Sequence, residues 1–120
     1  MRGFAKKALF LDRDGVINKD LGYVAEMERF HLMEGILELI SRAKEEGYLI
    51  IVVTNQSGIG RGFYTEKSYL NFQSQIHDLF RVRGCSIDKT YYCPFHPTEG
   101  LGRYKKDSYL RKPKPGMLLL

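Results

Sequence analysis

The chain has 120 residues, of which 43% are hydrophobic and 12% aromatic; this is enough for one small domain with a packed core and excludes a disordered chain. No apolar run approaches the ~20 residues of a membrane span, so we expect no membrane partner. The net charge of +5 favours an anionic ligand, and two cysteines, too few for a disulfide framework, favour reduced thiols in a cytosolic protein.

Three strands and two helices are predicted in alternation along the chain. The apolar run at 7–12 stops at an acidic loop and reads as a buried strand, and the β-branched run at 48–55 is typical of a strand covered on both faces. Residues 88–94 form a third short strand that is ended by proline. Helical spacing of apolar residues predicts helices over 33–48 and 65–84.

Each predicted helix has a signal at its end and one apolar face. Gly47 is expected to stop the first helix, while Thr65 caps the start of the second and Gly84 ends it. The residues expected to face the core are Ile36, Leu37, Ile40 and Ala43 in the first helix and Leu70, Phe72, Ile76, Leu79 and Phe80 in the second.

The order strand, helix, strand, helix, strand implies parallel strands joined by crossovers. We therefore expect an α/β fold, a Rossmann-like parallel sheet with helices on both faces, formed by residues 1–120 as a single domain. Residues 94–115 look irregular, and the apolar residues 117–120 would have little to bury against in a sheet of three strands. On these grounds we expect the domain to lack its last βαβ portion.

Two carboxylates, Asp12 and Asp14, follow the first strand within the stretch DRDGVIN. Like charges this close repel unless a cation lies between them or one holds a proton, and their oxygens suit Mg²⁺. Asp12 is positioned to attack phosphorus and form an aspartyl-phosphate, with Asp14 as general acid and base and Gly15 permitting a turn. Taken alone, an acidic turn without a catalytic role explains the motif equally well.

A second polar loop, TNQSGIGRGF, follows the second strand. Thr54 and Asn55 offer a hydroxyl and an amide to a phosphoryl oxygen, and Arg61 adds a charge that can bind phosphate in a bidentate manner. The backbone amides expected to form an anion-binding nest belong to Gly58, Gly60 and Gly62. A flexible loop between strand and helix is the plain alternative.

The stretch RKPKPG places Arg111 and Lys112 on a segment stiffened by Pro113 and Pro115. A lysine charge suits the neutralisation of a transferring phosphoryl group. Ligands of open parallel sheets gather at the carboxyl ends of the strands, so Lys112 would join both polar loops if this segment folds back over that edge. Taken alone, the segment is better read as a solvated basic linker.

Together and in this order, these motifs resemble the haloacid dehalogenase superfamily of aspartate-nucleophile phosphotransferases. The stretches DRDGVIN, DLGY, VVTNQSGIGRGF, YYCPFHP and RKPKPGM are similar to its branch of heptose-bisphosphate and histidinol phosphatases. The resemblance implies a cytosolic, Mg²⁺-dependent phosphoric monoester hydrolase that removes the 7-phosphate of D-glycero-D-manno-heptose 1,7-bisphosphate during synthesis of lipopolysaccharide or surface-layer sugars. Histidinol phosphate is an alternative substrate, and the oligomeric state is left open.

The resemblance also implies a role for individual residues. Asp12 matches the nucleophile and Asp14 the acid and base, with both contributing to Mg²⁺. Thr54 and Lys112 match residues that steady the phosphoryl group, and Arg111 matches a position of substrate recognition. The remaining candidates for phosphate or substrate binding are Arg13, Asp20, Leu21, Gly22, Tyr23, Asn55, Gln56, Ser57 and Arg61.

One departure from the branch concerns a structural zinc clasp. Cys93 and His96 are present, but Ser108, Tyr109 and Leu110 occupy the place of its Cys-x-Cys. Because a structural zinc takes four ligands, we predict that no zinc is bound. Cys93 is then a small buried residue, and His96 a surface or hydrogen-bonded imidazole.

Two further departures bear on activity. Leu21 stands where the family often has histidine, which puts substrate contact there in doubt. The family's last motif, G-D-x-x-x-D, completes the Mg²⁺ shell and has no counterpart among these residues. Weak Mg²⁺ binding and feeble catalysis are therefore expected of this chain.

Two other functions stay open. A polynucleotide 3′-phosphatase is supported by TNQ followed by GIGRG, where Gly60 suits that branch, and by the basic charge. The stretches DRDGVIN, DLGY and CPFHP disfavour nucleic acid, as does the lack of interleaved aromatic and basic residues for stacking bases. The apolar end is consistent with a non-catalytic remnant that binds sugar phosphates or a partner chain.

Overall fold

The computed structural model describes residues 7–119, which form a three-stranded parallel sheet with helices. The strands, in their spatial order, are β1 (Lys7–Leu11), β2 (Tyr48–Asn55) and β3 (Lys89–Cys93). The helices are α1 (Ile36–Glu45), α2 (Ser57–Gly60) and α3 (Glu66–Val82). Single 3₁₀ turns cover Met27–Arg29, Gly102–Tyr104 and Gly116–Leu119. The predicted alternation of strands and long helices is confirmed.

β2 is the central strand, and its sequence explains this position. Ile50 and Val52 are buried on one face of the sheet, while Ile51 and Val53 are buried on the other. A run that is apolar at every position suits only a strand covered on both faces. The predicted bounds of this strand, 48–55, are those of the structure.

Both long helices pack against the same face of the sheet. Ile36 and Ile40 of α1 join Phe72, Ile76 and Phe80 of α3 in one buried cluster with the Ile50 side of β2. Burying these side chains contributes about 1.5–3 kcal/mol each relative to full exposure. The main core of the domain therefore lies between α1, α3 and this face.

The ends of the helices follow their local signals. Thr65 caps α3 by accepting a hydrogen bond from Ser68 N at 3.0 Å, and Gly84 follows the helix with φ +76°, as predicted. Gly47 follows α1 with φ +86°, also as predicted. One predicted core residue is wrong: Leu70 is exposed, and its neighbour Tyr69 is buried instead, because Tyr69 shares the helix face of Phe72.

The second face of the sheet differs from the expectation of helices on both faces. Within residues 7–119 it is covered by irregular chain and by the turn Gly116–Leu119, with Phe95, Leu110 and Met117 in one apolar cluster with Ile51. Met117 is buried, which corrects the expectation that 117–120 have little to bury against; Leu118 and Leu119 are exposed, and Leu120 lies outside the described residues. None of the helices within 7–119 has the length and apolar character needed to cross a membrane.

Candidate functional site

The polar loops meet where the parallel strands end. Asp12 follows β1 directly and Thr54 lies near the end of β2, so both are at the carboxyl edge of the sheet. A cavity of about 860 Å³ opens at this edge. Its lining residues are Asp12, Asp14, Asp20, Gly22, Tyr23, Val53, Thr54, Asn55, Gln56, Ser57, Tyr64, Lys112, Pro113, Lys114, Met117 and Leu118.

Asp12 presents one carboxylate oxygen to the cavity. Its Oδ1 accepts a hydrogen bond from the backbone N–H of Arg13 at 2.8 Å and pairs with Lys112 Nζ at 2.8 Å. Among residues 7–119, no donor is hydrogen-bonded to Oδ2, and the side chain is 47% exposed. The carboxylate is thus held through Oδ1, which leaves Oδ2 available to a ligand.

Lys112 folds back over the sheet edge, which is the condition under which the sequence places it beside both polar loops. Its Nζ donates to the backbone carbonyl of Val53 at 2.9 Å in addition to pairing with Asp12. Asn55 fixes its backbone twice: Asn55 Oδ1 accepts from Lys112 N at 3.0 Å, and Asn55 Nδ2 donates to Lys112 O at 3.2 Å. Asn55 therefore positions the lysine, and its predicted contact with substrate stays a prediction.

Asp14 is held by three donors from different parts of the chain. Its Oδ1 accepts from Arg13 Nη2 at 2.7 Å and from Asn18 Nδ2 at 3.1 Å, and its Oδ2 accepts from Gln56 Nε2 at 3.3 Å. The side chain is 23% exposed and borders the cavity. A carboxyl group fixed in this way keeps one orientation toward a bound ligand.

Arg13 does not take the substrate-binding position expected from the sequence. Its side chain is 3% exposed, also donates to the carbonyl of Val24 at 2.7 Å, and lies over the ring of Phe72 at 5.3 Å. The guanidinium points into the protein, so its contact with Asp14 is a supporting one. The middle residue of DRD faces inward because its two carboxylate neighbours face the cavity.

Thr54, Gln56 and Tyr64 form a hydrogen-bonded group beside Asp14. Gln56 Nε2 donates to Thr54 Oγ1 at 2.9 Å, and the Tyr64 hydroxyl donates to Gln56 Oε1 at 2.6 Å. Burial raises the pKa of Tyr64 to about 12. Tyr64 is not among the residues predicted from the sequence, because its contact with Gln56 depends on the turn between them and no sequence motif marks it.

Two glycines of the second loop have a packing role that the sequence did not predict, and the anion nest stays a prediction. Residues 57–60 form the helical turn α2, where the sequence predicts a loop. A side chain at Gly58 would strike the ring of Tyr64, and one at Gly60 would strike the backbone carbonyl of Pro94. Gly58 and Gly60 are buried, so they serve close packing.

The candidate substrate-binding residues of the stretch DLGY, residues 20–23, are only partly at the cavity. Asp20, Gly22 and Tyr23 line it, whereas Leu21 does not. Tyr23 has φ +49°, an uncommon left-handed backbone for a residue other than glycine, and its ring meets Phe63 edge-on at 4.7 Å. Tyr23 therefore lines the cavity while its ring packs against Phe63.

Two predicted arginine contacts lie outside the cavity wall. The Arg61 guanidinium is 5.7 Å from the centre of the Tyr23 ring, and Arg111 Nη1 donates to the carbonyl of Phe95 at 3.2 Å. Neither residue is among those that line the cavity. Arg61 thus contacts a ring of the cavity wall, whereas Arg111 contacts a residue outside the lining, and their predicted contacts with substrate stay predictions.

The donor set at the cavity fits magnesium better than zinc. Asp12 and Asp14 offer hard carboxylate oxygens, and Mg²⁺ commonly binds one or two carboxylates together with water and phosphate oxygens. Residues 7–119 contain no cluster of three or more His, Cys, Asp or Glu side chains suited to a metal.

The two candidate zinc ligands have other surroundings in this structure. Cys93 is buried, with its thiol pKa raised by burial, and His96 Nδ1 accepts from Glu99 N at 3.0 Å. The absence of zinc stays a prediction.

Known proteins resemble the chain over nearly its whole length. A D-glycero-alpha-D-manno-heptose-1,7-bisphosphate 7-phosphatase from Burkholderia mallei is 55% identical over 113 residues, which are 94% of this chain and 60% of that protein. A structure described as a HAD-like phosphatase from Mesorhizobium loti superposes with a TM-score of 0.88 at 37% identity, covering 99% of this chain and 58% of the other.

A second solved structure carries ligands. The D,D-heptose 1,7-bisphosphate phosphatase of B. bronchiseptica, complexed with magnesium and phosphate, superposes with a TM-score of 0.79 at 28% identity, over 93% of this chain and 59% of the other. The fold is thus that of the haloacid dehalogenase-like phosphatases. The chain belongs to the family described as polynucleotide kinase 3 phosphatase, whose profile matches residues 10–120. It spans about 60% of the length of the curated relative from B. mallei.

Proposed function

We propose that this chain carries the nucleophile of a Mg²⁺-dependent, cytosolic phosphatase that removes the 7-phosphate of D-glycero-D-manno-heptose 1,7-bisphosphate. The observation that carries the proposal is the pairing of Asp12 with Lys112 at the cavity, which leaves Asp12 Oδ2 available beside a positive charge. The heptose substrate is suggested by the relative from B. mallei, at 55% identity.

Each residue has a defined part in the proposed reaction. Asp12 Oδ2 attacks phosphorus, forming an O–P bond as the ester P–O bond breaks, and Asp14 gives its proton to the leaving sugar oxygen. A water molecule then attacks the aspartyl-phosphate, and Asp14 takes up the proton of that water as the Asp12–phosphate bond breaks. Lys112 offsets negative charge on the phosphoryl oxygens throughout.

Magnesium fits the same carboxylates. Asp12 and Asp14 would hold it, and when bound it would offset the charge of the phosphoryl group. The magnesium complex of the B. bronchiseptica structure supports this choice of metal. Titration with Mg²⁺ tests it directly: saturable binding that Asp12→Asn weakens supports the proposal, and binding unaffected by that change contradicts it.

A polynucleotide 3′-phosphatase is the second candidate, favoured by the name of the family whose profile matches 10–120. Nucleic-acid binding weakens steeply as salt rises because contacts to several phosphates release counterions. Phosphate release from a 3′-phosphorylated oligonucleotide and from the heptose bisphosphate should therefore be compared at two salt concentrations. Preference for the oligonucleotide, with a steep loss in salt, would favour the second candidate.

The decisive experiment measures phosphate release with Mg²⁺ from a panel containing both anomers of the heptose bisphosphate, histidinol phosphate and the oligonucleotide. Asp12→Asn should abolish release from every substrate while circular dichroism and thermal unfolding stay unchanged. Asp78→Asn, an exposed carboxylate on α3, is the matched control and should keep full activity. Turnover that persists in Asp12→Asn contradicts the aspartyl-phosphate mechanism.

A further inference from the structure

The hydrogen bonds around Gln56 have fixed directions, and Asp14 sets them. In this structure Asp14 is the acceptor in all three of its side-chain hydrogen bonds, so the atom of Gln56 that faces Asp14 Oδ2 at 3.3 Å is the amide nitrogen. The amide oxygen then faces Tyr64 at 2.6 Å and only accepts, so the phenol is the donor. One carboxylate thereby determines the direction of both bonds.

Thr54 receives the other amide proton of Gln56. The Gln56 Nε2 to Thr54 Oγ1 distance is 2.9 Å, so the threonine oxygen is an acceptor in this bond. The hydroxyl proton of Thr54 therefore needs another acceptor. In this structure the Thr54 hydroxyl donates to the backbone carbonyl of Asn55 at 3.4 Å. That distance exceeds the 2.5–3.0 Å typical of an O–H···O bond, so the contact is weak.

The position of Thr54 at the cavity indicates where a better acceptor for its hydroxyl proton would come from. The side chain borders the cavity, yet it has no surface exposed to water. A buried hydroxyl whose proton lacks a good acceptor costs free energy. An acceptor oxygen that enters the cavity would complete the network, and the neighbouring Lys112 and its positive charge favour an anionic one.

We propose that Tyr64 and Gln56 are positioning residues that keep the Thr54 hydroxyl a hydrogen-bond donor toward a phosphoryl oxygen in the cavity. The identity of that ligand, a phosphate ester, rests on the proposed function; the direction of the hydrogen bonds does not. Gln56 is almost fully buried, which suits support of Thr54 better than the direct substrate contact expected from the sequence.

The role of Tyr64 follows from what its hydroxyl prevents. With the phenol as donor, the Gln56 oxygen is occupied and the amide cannot rotate. Without it, the long 3.3 Å bond to Asp14 is what still opposes rotation of the amide. An amide that turned its oxygen toward Thr54 would use the threonine proton inside the protein. Tyr64→Phe keeps the ring that packs against Gly58, so it removes the hydrogen bond with little change in shape.

A double-mutant cycle separates this role from a general structural one. Binding of inorganic phosphate with Mg²⁺ is measured by calorimetry for the unsubstituted chain, Tyr64→Phe, Thr54→Val and the double variant. Tyr64→Phe should weaken binding roughly tenfold, the scale of one hydrogen bond to a charged group, but less than about twofold when Thr54→Val is present. In a Thr54→Ser background, which keeps the hydroxyl, the roughly tenfold effect should return.

Two further variants serve as a control and as a substitute for Tyr64→Phe. Tyr104→Phe removes a phenol hydroxyl that bonds Glu66 away from the cavity, and phosphate binding should be unchanged. If Tyr64→Phe fails to fold, Gln56→Met takes its place in the same cycle. Equal losses with and without the Thr54 hydroxyl overturn the inference, as does no loss in Tyr64→Phe or no phosphate binding by the unsubstituted chain.

The outcome is independent of the test of the proposed function. Phosphate binding requires no turnover, so the cycle can succeed even if Asp12→Asn shows that the aspartyl-phosphate mechanism is wrong. Conversely, an additive cycle overturns the role of Tyr64 while leaving that mechanism intact.

Discussion

Lys112 Nζ lies 2.8 Å from Asp12 Oδ1 and 2.9 Å from the carbonyl of Val53, so one ammonium group joins the carboxyl ends of β1 and β2. The lysine is held there by the two hydrogen bonds between its backbone and Asn55. Its charge is therefore placed before any ligand arrives. A preorganised charge stabilises a transition state without a further cost of reorientation.

Replacing Lys112 by methionine removes this charge and keeps the length of the side chain. We expect kcat/KM for phosphate release to fall about 10²–10³-fold, the range seen when one preorganised donor to a developing charge is lost. Lys105→Met, at an exposed position outside the cavity lining, is the control and should leave the rate unchanged. Similar rates in the two variants would show that the ammonium group takes no part in the reaction.

Asp14→Asn tests the second carboxyl group. The amide keeps the shape of the side chain but cannot transfer the proton, so phosphate release should slow by about 10²–10⁴-fold. Single-turnover kinetics should show slow breakdown of the phosphorylated Asp12 as well as slow formation, because Asp14 acts in both steps of the proposed reaction. A rate within about threefold of the unsubstituted chain would remove Asp14 from the acid–base role.

The sheet and the polar edge that borders the cavity could be predicted because their sequence patterns are local. The continuous apolar run of β2 marks a buried strand, and the polar residues after β1 and β2 had to meet because parallel strands end at one edge. These inferences need only the pattern of residue types along the chain. The return of Lys112 to this edge is only a condition of the prediction, because its segment with Pro113 and Pro115 is by itself better read as a solvated basic linker.

The parts that could not be predicted depend on distant packing. Arg13 lies between Asp12 and Asp14 in the sequence, and both of these carboxylates border the cavity. The Arg13 side chain points the opposite way, into the core beside Phe72. In the sequence, Gly58 and Gly60 look like part of an anion-binding loop. The structure shows that Tyr64 and Pro94 lie too close to these positions for a larger side chain. No local pattern distinguishes a glycine needed for packing from one needed for binding.

Tyr69 and Leu70 form a pair that tests the corrected core assignment. Tyr69 is 1% exposed and its ring centre lies 4.8 Å from that of Tyr92, whereas Leu70 is 43% exposed. Tyr69→Ala should lower the free energy of unfolding by about 3–5 kcal/mol, the cost of removing a buried aromatic side chain. Leu70→Ala should change it by about 0.5 kcal/mol or less, as expected at the surface. Urea denaturation of both variants measures the difference, and equal losses would contradict the assignment.

Glu66 gives the fold a predicted dependence on pH. Its carboxylate accepts hydrogen bonds from the hydroxyls of Tyr92 and Tyr104 and from Arg103, and these contacts, the Tyr92 bond above all, hold its pKa below the usual 4.5. They tie α3 to β3 and to the turn Gly102–Tyr104.

A lowered folded-state pKa fixes the sign of the effect. The unfolded chain binds the proton more readily, so the stabilisation is fully present above about pH 4.5 and is lost as the pH falls through the lower folded-state value. Thermal unfolding from pH 7 to pH 3 should therefore show a larger fall in Tm for the unsubstituted chain than for Glu66→Gln. Glu38→Gln, an exposed residue of α1, should follow the unsubstituted chain. If Glu66→Gln loses as much stability in acid as the unsubstituted chain, the carboxylate of Glu66 is not the group whose protonation weakens the fold.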